Sequence, residues 1–182
     1  GGNSMLLSPH AFLQHPLDWL KLISRERAPV TGAPNFAYEL CVQRFSKEKM
    51  QDIDLSCLRI AYCGAEPISK NTLDRFATTF SDYGFKKSAL YPLYGMAEHT
   101  LMISAGISGT GFRSIGVSKK KLNEESIVTQ TNSKDIQHFV SCGKELNSHT
   151  IKIVHPDKKI LLHENNVGEI WCQGPSVTQG YW

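Results

Sequence analysis

The stretch LRIAYCGAEPISKNTLDRFATTF, residues 58–80, decides the fold. Residues 58–63 form a short apolar run that predicts a buried strand, and this strand stops at Gly64. A helix is expected from about Ser69, because four apolar residues recur at the i, i+3, i+4 and i+7 spacing of one helical face. Gly84 supplies a C-terminal stop for this helix. The stretch therefore predicts a buried strand followed by a helix that covers it.

The same alternation continues on both sides of this stretch. Pro9 occupies the first position of a predicted helix, and Pro16 restarts or kinks it. Residues 29–34 are rich in turn-forming types and are interpreted as a turn, followed by a second helix over about 35–44. Another short strand begins at 88–90. Strands and helices that alternate in this way favour an α/β fold, in which a parallel sheet layer carries flanking helices.

The pattern changes in the second half of the chain. Residues 107–137 are polar and lack periodicity, so they are interpreted as a loop or an insertion. Three candidate strands follow, at 151–154, about 159–163 and 167–173, and the turns between them predict an antiparallel β region. We therefore predict three parts, an α/β segment, a loop or insertion and an antiparallel β segment, over residues 1–106, 107–137 and 138–182.

Composition excludes few classes of protein. The chain has 182 residues, of which 41% are apolar and 20% charged, with a net charge of +3. These values are ordinary for a globular protein and give no case for a nucleic-acid partner. The five cysteines form no CxxC pair and are interpreted as free thiols of a cytoplasmic protein. The sequence contains no apolar run of membrane-spanning length, so no integral membrane contact is expected.

Three segments carry candidate chemistry. Residues 64–67 (GAEP) connect a predicted strand to a helix, which is a common ligand position in α/β sheets. Residues 94–98 (YGMAE) offer a flat aromatic face and a carboxylate that could reach a cation over phosphates. Residues 168–182 (GEIWCQGPSVTQGYW) are interpreted as a structural strand and turn. Taken alone, each of the first two is more typical of an ordinary loop.

Together, in this order, the three segments resemble the adenylate-forming superfamily of acyl ligases and luciferases. Residues 94–98 are similar to the family's YGxTE motif, and residues 168–182 to its GELxxxGxxxxxGYW motif. Residues 8–41, alanine at Ala97 and the position of the polar stretch 107–137 are similar to the fatty acyl-AMP ligase branch in particular. The resemblance implies the large N-terminal domain of such an enzyme, of which this chain would be an internal fragment.

The resemblance also implies roles for individual residues. Glu98 would be the catalytic carboxylate and the ligand of Mg²⁺ on the ATP phosphates, while Tyr94 would stack on one face of adenine and residues 64–66 would cover the other. Ala97 cannot supply the hydroxyl that threonine gives the phosphate in most relatives. The cofactor-binding set implied is Gly64, Ala65, Glu66, Pro67, Tyr94, Gly95, Met96 and Ala97. Tyr62 and Cys63 depart from the Asn-Gly expected before Gly64, which leaves their place in the acyl pocket open.

The function implied is the activation of a medium- or long-chain fatty acid by ATP, giving an acyl-adenylate for transfer to an acyl carrier protein or to a polyketide or non-ribosomal peptide synthase. Two alternatives remain open: a fatty acid–CoA ligase, and a non-catalytic module that binds a nucleotide or an acyl group. The family's phosphate loop, its ribose-binding aspartate and its lysine-bearing small domain find no counterpart in the sequence. The fragment by itself is therefore expected to be inactive. His99 is interpreted as structural or solvated, and no role is assigned to it.

Overall fold

The computed structural model describes residues 2–125, 128, 130–131 and 135–182. Its residues group into two compact units, which are treated separately below. The first unit comprises residues 1–67, 71–91 and 108–111, and the second comprises residues 68–70, 92–107 and 112–182. The predicted α/β class is confirmed, with a parallel strand pair and flanking helices in one unit and antiparallel strands in the other.

The first unit contains four helices and a parallel strand pair. The helices are α1 (Pro9–Gln14), α2 (Leu17–Glu26), α3 (Asn35–Gln43) and α4 (Lys70–Thr79), and the strands are β1 (Val30–Ala33) and β2 (Ile60–Cys63). The two strands run parallel in an unbroken register from Val30↔Ile60 to Ala33↔Cys63. This parallel pair, with α3 and the rest of the crossover between its strands, is a βαβ arrangement, and it agrees with the predicted parallel sheet layer with flanking helices.

Helix boundaries in this unit follow the sequence signals. The Ser8 hydroxyl accepts a hydrogen bond from the Ala11 amide and caps α1, whose first residue is Pro9. Pro16 separates α1 from α2, and α2 ends at Glu26, where the C-cap residue Arg27 adopts a left-handed conformation with φ of 51°. The helices predicted around Pro9, Pro16, residues 35–44 and Ser69 are therefore confirmed.

The core of the first unit is aromatic. Tyr38 of α3 is fully buried, and its ring meets those of Phe76 at 4.9 Å and Trp19 at 5.4 Å between centroids. Phe76 also contacts Phe80 at 4.7 Å and Phe85 at 5.0 Å. The ring pairs are edge-on or tilted, the geometry that aromatic quadrupoles favour. This cluster fixes α3 and α4 in place, and β2 ends beside α3, where the Tyr38 hydroxyl donates to the Tyr62 carbonyl at 2.7 Å.

The second unit is built from antiparallel strands. These strands are β3 (Leu90–Gly95), β4 (Met102–Ala105), β5 (Ser114–Ser118), β6 (Ile136–Val140), β7 (Lys144–Glu145), β8 (Thr150–Val154) and β9 (Glu169–Gln173). The first two residues of β3 belong to the first unit. The helix α5 (Lys119–Glu125) follows β5. β4 pairs with both β3 and β7, β5 pairs with β6, and β8 pairs with β9. The strands predicted near 88–90, 151–154 and 167–173 are present.

Two segments that were interpreted as irregular contain regular secondary structure. Residues 29–34 contain β1, because their backbone pairs with a strand 30 residues further along the chain. Residues 107–137 contain β5 and α5. β5 pairs residue for residue with β6, so a partner distant in sequence stabilises a segment that has little periodicity of its own. The part of this prediction that falls on residues 126, 127, 129 and 132–134 lies outside the described residues.

The strand predicted over 159–163 was also wrong. The amide of Leu162 donates to the Ile153 carbonyl, but the pairing is limited to an isolated bridge between Val154 and Leu161. Lys159 adopts a φ of 54°, outside the extended region, so the backbone enters this segment from a turn and the ladder does not extend. Within the described part of the chain, no helix is long and apolar enough to span a membrane.

Candidate functional site

The loop of residues 64–67 lies directly after β2 in the first unit. Gly64 is buried, whereas Ala65, Glu66 and Pro67 are exposed. Ala65 has a φ of 67°, a left-handed conformation that a residue with a Cβ seldom adopts. A strained backbone of this kind persists only where neighbouring contacts hold it, and such residues cluster at functional sites. The loop therefore presents a fixed backbone at the end of a parallel strand, where α/β proteins commonly bind ligands.

Glu66 ties this loop to the beginning of α3. Its Oε1 accepts a hydrogen bond from the Phe36 amide at 2.6 Å. Pro34, at the N-cap position of α3, forms no side-chain cap, so the carboxylate of Glu66 supplies the missing acceptor. The negative charge also lies at the positive end of the helix dipole. The Glu66 side chain is thus engaged within the protein, and the backbone is the part of the loop that remains for a ligand.

Replacement of Glu66 by alanine is expected to destabilise the first unit by about 1 kcal/mol, because the amide of Phe36 and the helix dipole lose their carboxylate partner. For a chain of this size the midpoint of thermal unfolding should fall by about 2–4 °C. Glu26→Ala is the matched control, since Glu26 pairs with Arg25 at the surface and such pairs contribute little. Equal midpoints for the two variants would contradict the capping role.

Tyr94 and Gly95 end β3 in the second unit, and the ladder with β4 is irregular at this point. Tyr94 is paired with Ser104 and Gly95 with Met102, so the register shifts between the two residues. A Cβ at position 95 would lie only 1.8 Å from the backbone carbonyl oxygen of Leu101. Only glycine fits here. The irregularity turns the chain away from the sheet immediately before Met96, as bulges do next to many ligand sites.

Tyr94 is half-buried on this strand. Burial raises the pKa of its hydroxyl, with smaller contributions from Cys172, Cys142 and Glu98. The phenol therefore stays neutral at physiological pH, and its ring can offer a flat apolar face for stacking. Met96 is half-buried and Ala97 is exposed, so residues 94–98 leave the sheet and reach the surface within one short segment.

Glu98 lies in a single 3-10 turn, Ala97–His99, and is exposed. The Tyr181 hydroxyl donates to Glu98 Oε1 at 3.1 Å, and the Thr178 amide donates to the Glu98 carbonyl at 2.8 Å. Hydrogen bonding to this carboxylate raises the pKa of Tyr181, which keeps the phenol protonated as the donor. The sequence interpretation treated residues 168–182 as purely structural and missed both contacts. The GYW ending that carries Tyr181 was the available signal.

The Glu98 carboxylate fits the way proteins bind Mg²⁺. A carboxylate offers about four lone-pair positions, and Tyr181 occupies one of them. Nowhere in the described ranges do three or more His, Cys, Asp or Glu side chains form a cluster that could hold a metal ion. Mg²⁺ is usually held by one or two carboxylates together with substrate phosphates, and a lone exposed glutamate meets that requirement.

His99 follows Glu98 but faces inward. It is 3% exposed, and its Nδ1 lies 3.3 Å from the Ser176 hydroxyl, which is also 2.7 Å from His149 Nε2. The Thr100 hydroxyl donates to the Ser176 carbonyl at 3.0 Å. Of the two interpretations left open for His99, structural or solvated, this geometry supports the structural one. In the second unit the structure thus brings together Tyr94, Gly95, Met96, Ala97 and Glu98, and in the first it places Gly64, Ala65, Glu66 and Pro67 in one loop.

Comparison with known proteins extends this description. The model of the AMP-binding enzyme family matches residues 1–182. A medium-chain-fatty-acid–acyl-carrier-protein ligase of Moorena producens is 38% identical over 180 residues, which are 97% of this chain and 30% of that protein. A protein named as a putative fatty-acid–CoA ligase of Mycobacterium tuberculosis is 35% identical over 182 residues, 100% of this chain and 31% of that protein.

A similar solved structure is the fatty acyl-adenylate ligase from L. pneumophila in complex with acyl adenylate and pyrophosphate. It superimposes with a TM-score of 0.91 at 39% identity, over 96% of this chain and 31% of that one. The chain thus spans about a third of the length of the relatives it matches.

Proposed function

The chain belongs to the AMP-binding enzyme family, and on this premise we propose that it is part of a fatty acyl-AMP ligase that activates a medium- or long-chain fatty acid with ATP. The observation that carries the proposal is the likeness, in both sequence and fold, to the L. pneumophila ligase that holds acyl adenylate and pyrophosphate. The ligase from Moorena producens, which is named for medium-chain fatty acids and acyl carrier protein, supports the same substrate class.

The proposed reaction needs no nucleophile from the protein. An oxygen of the fatty-acid carboxylate attacks the α-phosphorus of ATP, the bond from that phosphorus to the bridging oxygen of the β-phosphate breaks, and pyrophosphate leaves with the electron pair. Both reactants are anions, so the protein must align them and offset the negative charge. A bound Mg²⁺ would supply that charge on the phosphates.

Glu98 is proposed as the catalytic residue and the protein ligand of Mg²⁺. Its carboxylate is exposed and keeps acceptor positions beyond the hydrogen bond from Tyr181, which supports this role. Tyr94 is proposed to stack on adenine, and the half-buried neutral ring supports that role. Gly95, Met96 and Ala97 are proposed to lie along the phosphate and acyl groups; Ala97 has no hydroxyl to offer them.

A nucleotide-binding role is proposed separately for residues 64–67. Because the Glu66 carboxylate caps α3, the contact expected from this loop is through its backbone, at Gly64 and Ala65 above all. If the loop contacts the nucleotide through its backbone, the Glu66 side chain does not touch the nucleotide. Substitution of Glu66 should then change nucleotide affinity only through the conformation of the loop.

The acyl acceptor is proposed to be an acyl carrier protein or a polyketide or non-ribosomal peptide synthase, and the enzyme is proposed to be cytoplasmic. Residues 107–137 are proposed to form the insertion of the acyl-AMP ligase branch, between an α/β part (1–106) and a β part (138–182). The likeness to a putative fatty-acid–CoA ligase keeps coenzyme A as the second candidate acceptor.

To test the acceptor, the full-length protein is incubated with ATP, Mg²⁺ and a medium-chain fatty acid. Either holo acyl carrier protein or coenzyme A is then added as the acceptor. We expect mass spectrometry to detect acyl carrier protein that has gained the acyl group and little acyl-CoA. Efficient acyl-CoA formation would favour the second candidate. A protein that binds ATP but releases no pyrophosphate would instead be a non-catalytic binding module.

The isolated 182-residue chain is expected to release no pyrophosphate above background with ATP, Mg²⁺ and a fatty acid. It spans about a third of the length of the relatives, and a phosphate-transfer site requires every group that aligns the two anions. A coupled pyrophosphate assay on the chain, with the full-length protein as positive control, measures this. Turnover by the isolated chain would mean that these 182 residues contain a complete site.

A further inference from the structure

The segment 176–181, after β9, forms two hydrogen bonds with Glu98. The Thr178 amide donates to the Glu98 carbonyl at 2.8 Å, and the Tyr181 hydroxyl donates to Glu98 Oε1 at 3.1 Å. One bond fixes the backbone of the residue and the other fixes the end of its side chain. Both donors come from four consecutive positions, 178–181, of a segment that is 80 or more residues away in sequence.

The same segment is anchored beside Glu98 by Ser176. The Ser176 hydroxyl lies between His99 Nδ1 and His149 Nε2, at 3.3 Å and 2.7 Å. A hydroxyl can donate to one ring nitrogen and accept from the other, so one serine links both rings. The Ser176 carbonyl also accepts the Thr100 hydroxyl at 3.0 Å, where Thr100 has a φ of 64°. The residues on either side of Ser176 are therefore held against the turn that contains Glu98.

Glu98 needs such hydrogen bonds because of its position in the fold. The residue is exposed on a turn of only three residues, and a glutamate side chain has three rotatable bonds. A carboxylate that must meet a metal–phosphate group loses that freedom on binding unless the protein has already restricted it. A donor from the protein to one carboxylate oxygen aims the other oxygen outward, as outer hydrogen bonds do for metal ligands generally.

We propose that Tyr181 is a positioning residue for Glu98: its hydroxyl, carried by the segment 176–181, orients the carboxylate that receives the Mg²⁺–nucleotide. This inference rests on the proposed function and deepens it, since it assigns a role in metal–nucleotide binding to the aromatic ending of residues 168–182. The ring of Tyr181 is 78% exposed, so its contribution is expected through the hydroxyl and not through packing.

The test compares wild-type full-length protein with Tyr181→Phe, which keeps the ring and removes the hydroxyl. ATP–pyrophosphate exchange is measured against Mg²⁺ concentration at fixed ATP and fatty acid, and Mg²⁺-dependent binding of a non-hydrolysable ATP analogue is measured without fatty acid by isothermal titration calorimetry. We expect Tyr181→Phe to raise the Mg²⁺ concentration for half-maximal exchange by about 3- to 10-fold, as the loss of one solvent-exposed hydrogen bond would produce. The KM for the fatty acid and the thermal midpoint should not change.

A double variant shows whether Tyr181 acts through Glu98. Once Glu98 is replaced by alanine, adding Tyr181→Phe should change the residual exchange rate by less than twofold, because the group that the hydroxyl orients is gone. Tyr83→Phe is the control for loss of a phenol hydroxyl elsewhere; Tyr83 packs against Phe45 and Phe80 and should leave the Mg²⁺ dependence unchanged.

Three results bear on the inference. A wild-type Mg²⁺ dependence in Tyr181→Phe, with normal exchange by the wild type, would overturn it and leave the proposed function intact. A second result would be that Tyr181→Phe lowers the exchange rate by the same factor in the wild type and in the Glu98 variant. That result would overturn the inference, since Tyr181 would then act apart from Glu98. No exchange by the wild-type full-length protein would overturn the proposed function, and this inference with it.

Discussion

Glu98→Gln in the full-length protein is expected to slow ATP–pyrophosphate exchange by about 100- to 1,000-fold. The substitution keeps the shape of the side chain and an oxygen that can accept from Tyr181, but it removes the charge that we propose binds Mg²⁺. Loss of one group that stabilises charge in a transition state commonly has an effect of this size. Raising the Mg²⁺ concentration should recover part of the rate, because the phosphates of ATP would still bind the ion.

The matched control for this variant is Glu164→Gln. Glu164 is an exposed glutamate in a turn of the same unit, and its exchange should leave the rate unchanged. Both variants should unfold at the wild-type temperature, since neither side chain is buried. Exchange within threefold of wild type by Glu98→Gln would remove Glu98 from the catalytic role proposed for it.

Gly95→Ala is expected to have the second large effect. The added Cβ would meet the Leu101 carbonyl oxygen at 1.8 Å and the Leu101 carbonyl carbon at 2.8 Å, and both are backbone atoms that cannot rotate away. The end of β3 must then move from β4, at a cost of about 2–3 kcal/mol in the free energy of unfolding. Tyr94 and Glu98 flank this point, and a displacement of about 1 Å could reduce exchange about 100-fold.

Gly106→Ala provides the control for a glycine in the same unit. The nearest atom to its Cβ would be the Pro92 carbonyl oxygen at 3.9 Å, an ordinary contact. Urea unfolding followed by circular dichroism should place Gly106→Ala within about 0.5 kcal/mol of wild type. If Gly95→Ala were as stable and as active as Gly106→Ala, the close approach of β3 to Leu101 would not constrain the site.

The sequence predicted those elements whose signals are local. The α3 and α4 helices and the strand β2 follow from local patterns, and all are present. Gly84 was expected to stop α4, but α4 ends at Thr79 and Gly84 instead caps the 3-10 turn Ser81–Tyr83. The residues before Gly64 form the predicted strand, but its burial alternates: Ala61 and Cys63 are buried, whereas Tyr62 is 41% exposed. These elements carry their information within about a dozen residues, which is the range that patterns of apolar residues can report.

The elements that were missed depend on distant partners. β4 has four residues with no alternation, and its place is set by β3 on one side and β7 on the other. β1 reads VTGA between prolines, so turn-forming residues dominate it, and only pairing with β2 makes it a strand. Local composition cannot report such pairings, since they are stabilised by backbone bonds across the sheet.

The site divides in the same way. The loop 64–67 and the segment 94–98 were found because each ends a strand with glycine and a polar group. The contacts of Glu66 with Phe36 and of Tyr181 with Glu98 join residues 30 and 83 positions apart. Neither contact leaves a pattern in the sequence. Only the structure therefore shows that the Glu66 carboxylate is hydrogen-bonded and that Tyr181 contacts Glu98. The burial of His99 is likewise seen only in the structure.

The central claim is that this chain belongs to an enzyme that forms acyl-adenylates from fatty acids. It is tested most directly by incubating the full-length protein with ATP, Mg²⁺ and a medium-chain fatty acid, without any thiol acceptor, and by following the products by mass spectrometry. We expect fatty acyl-AMP and an equal amount of pyrophosphate, both dependent on the fatty acid. Cleavage of ATP to ADP and phosphate, or no fatty-acid-dependent product, would contradict the account.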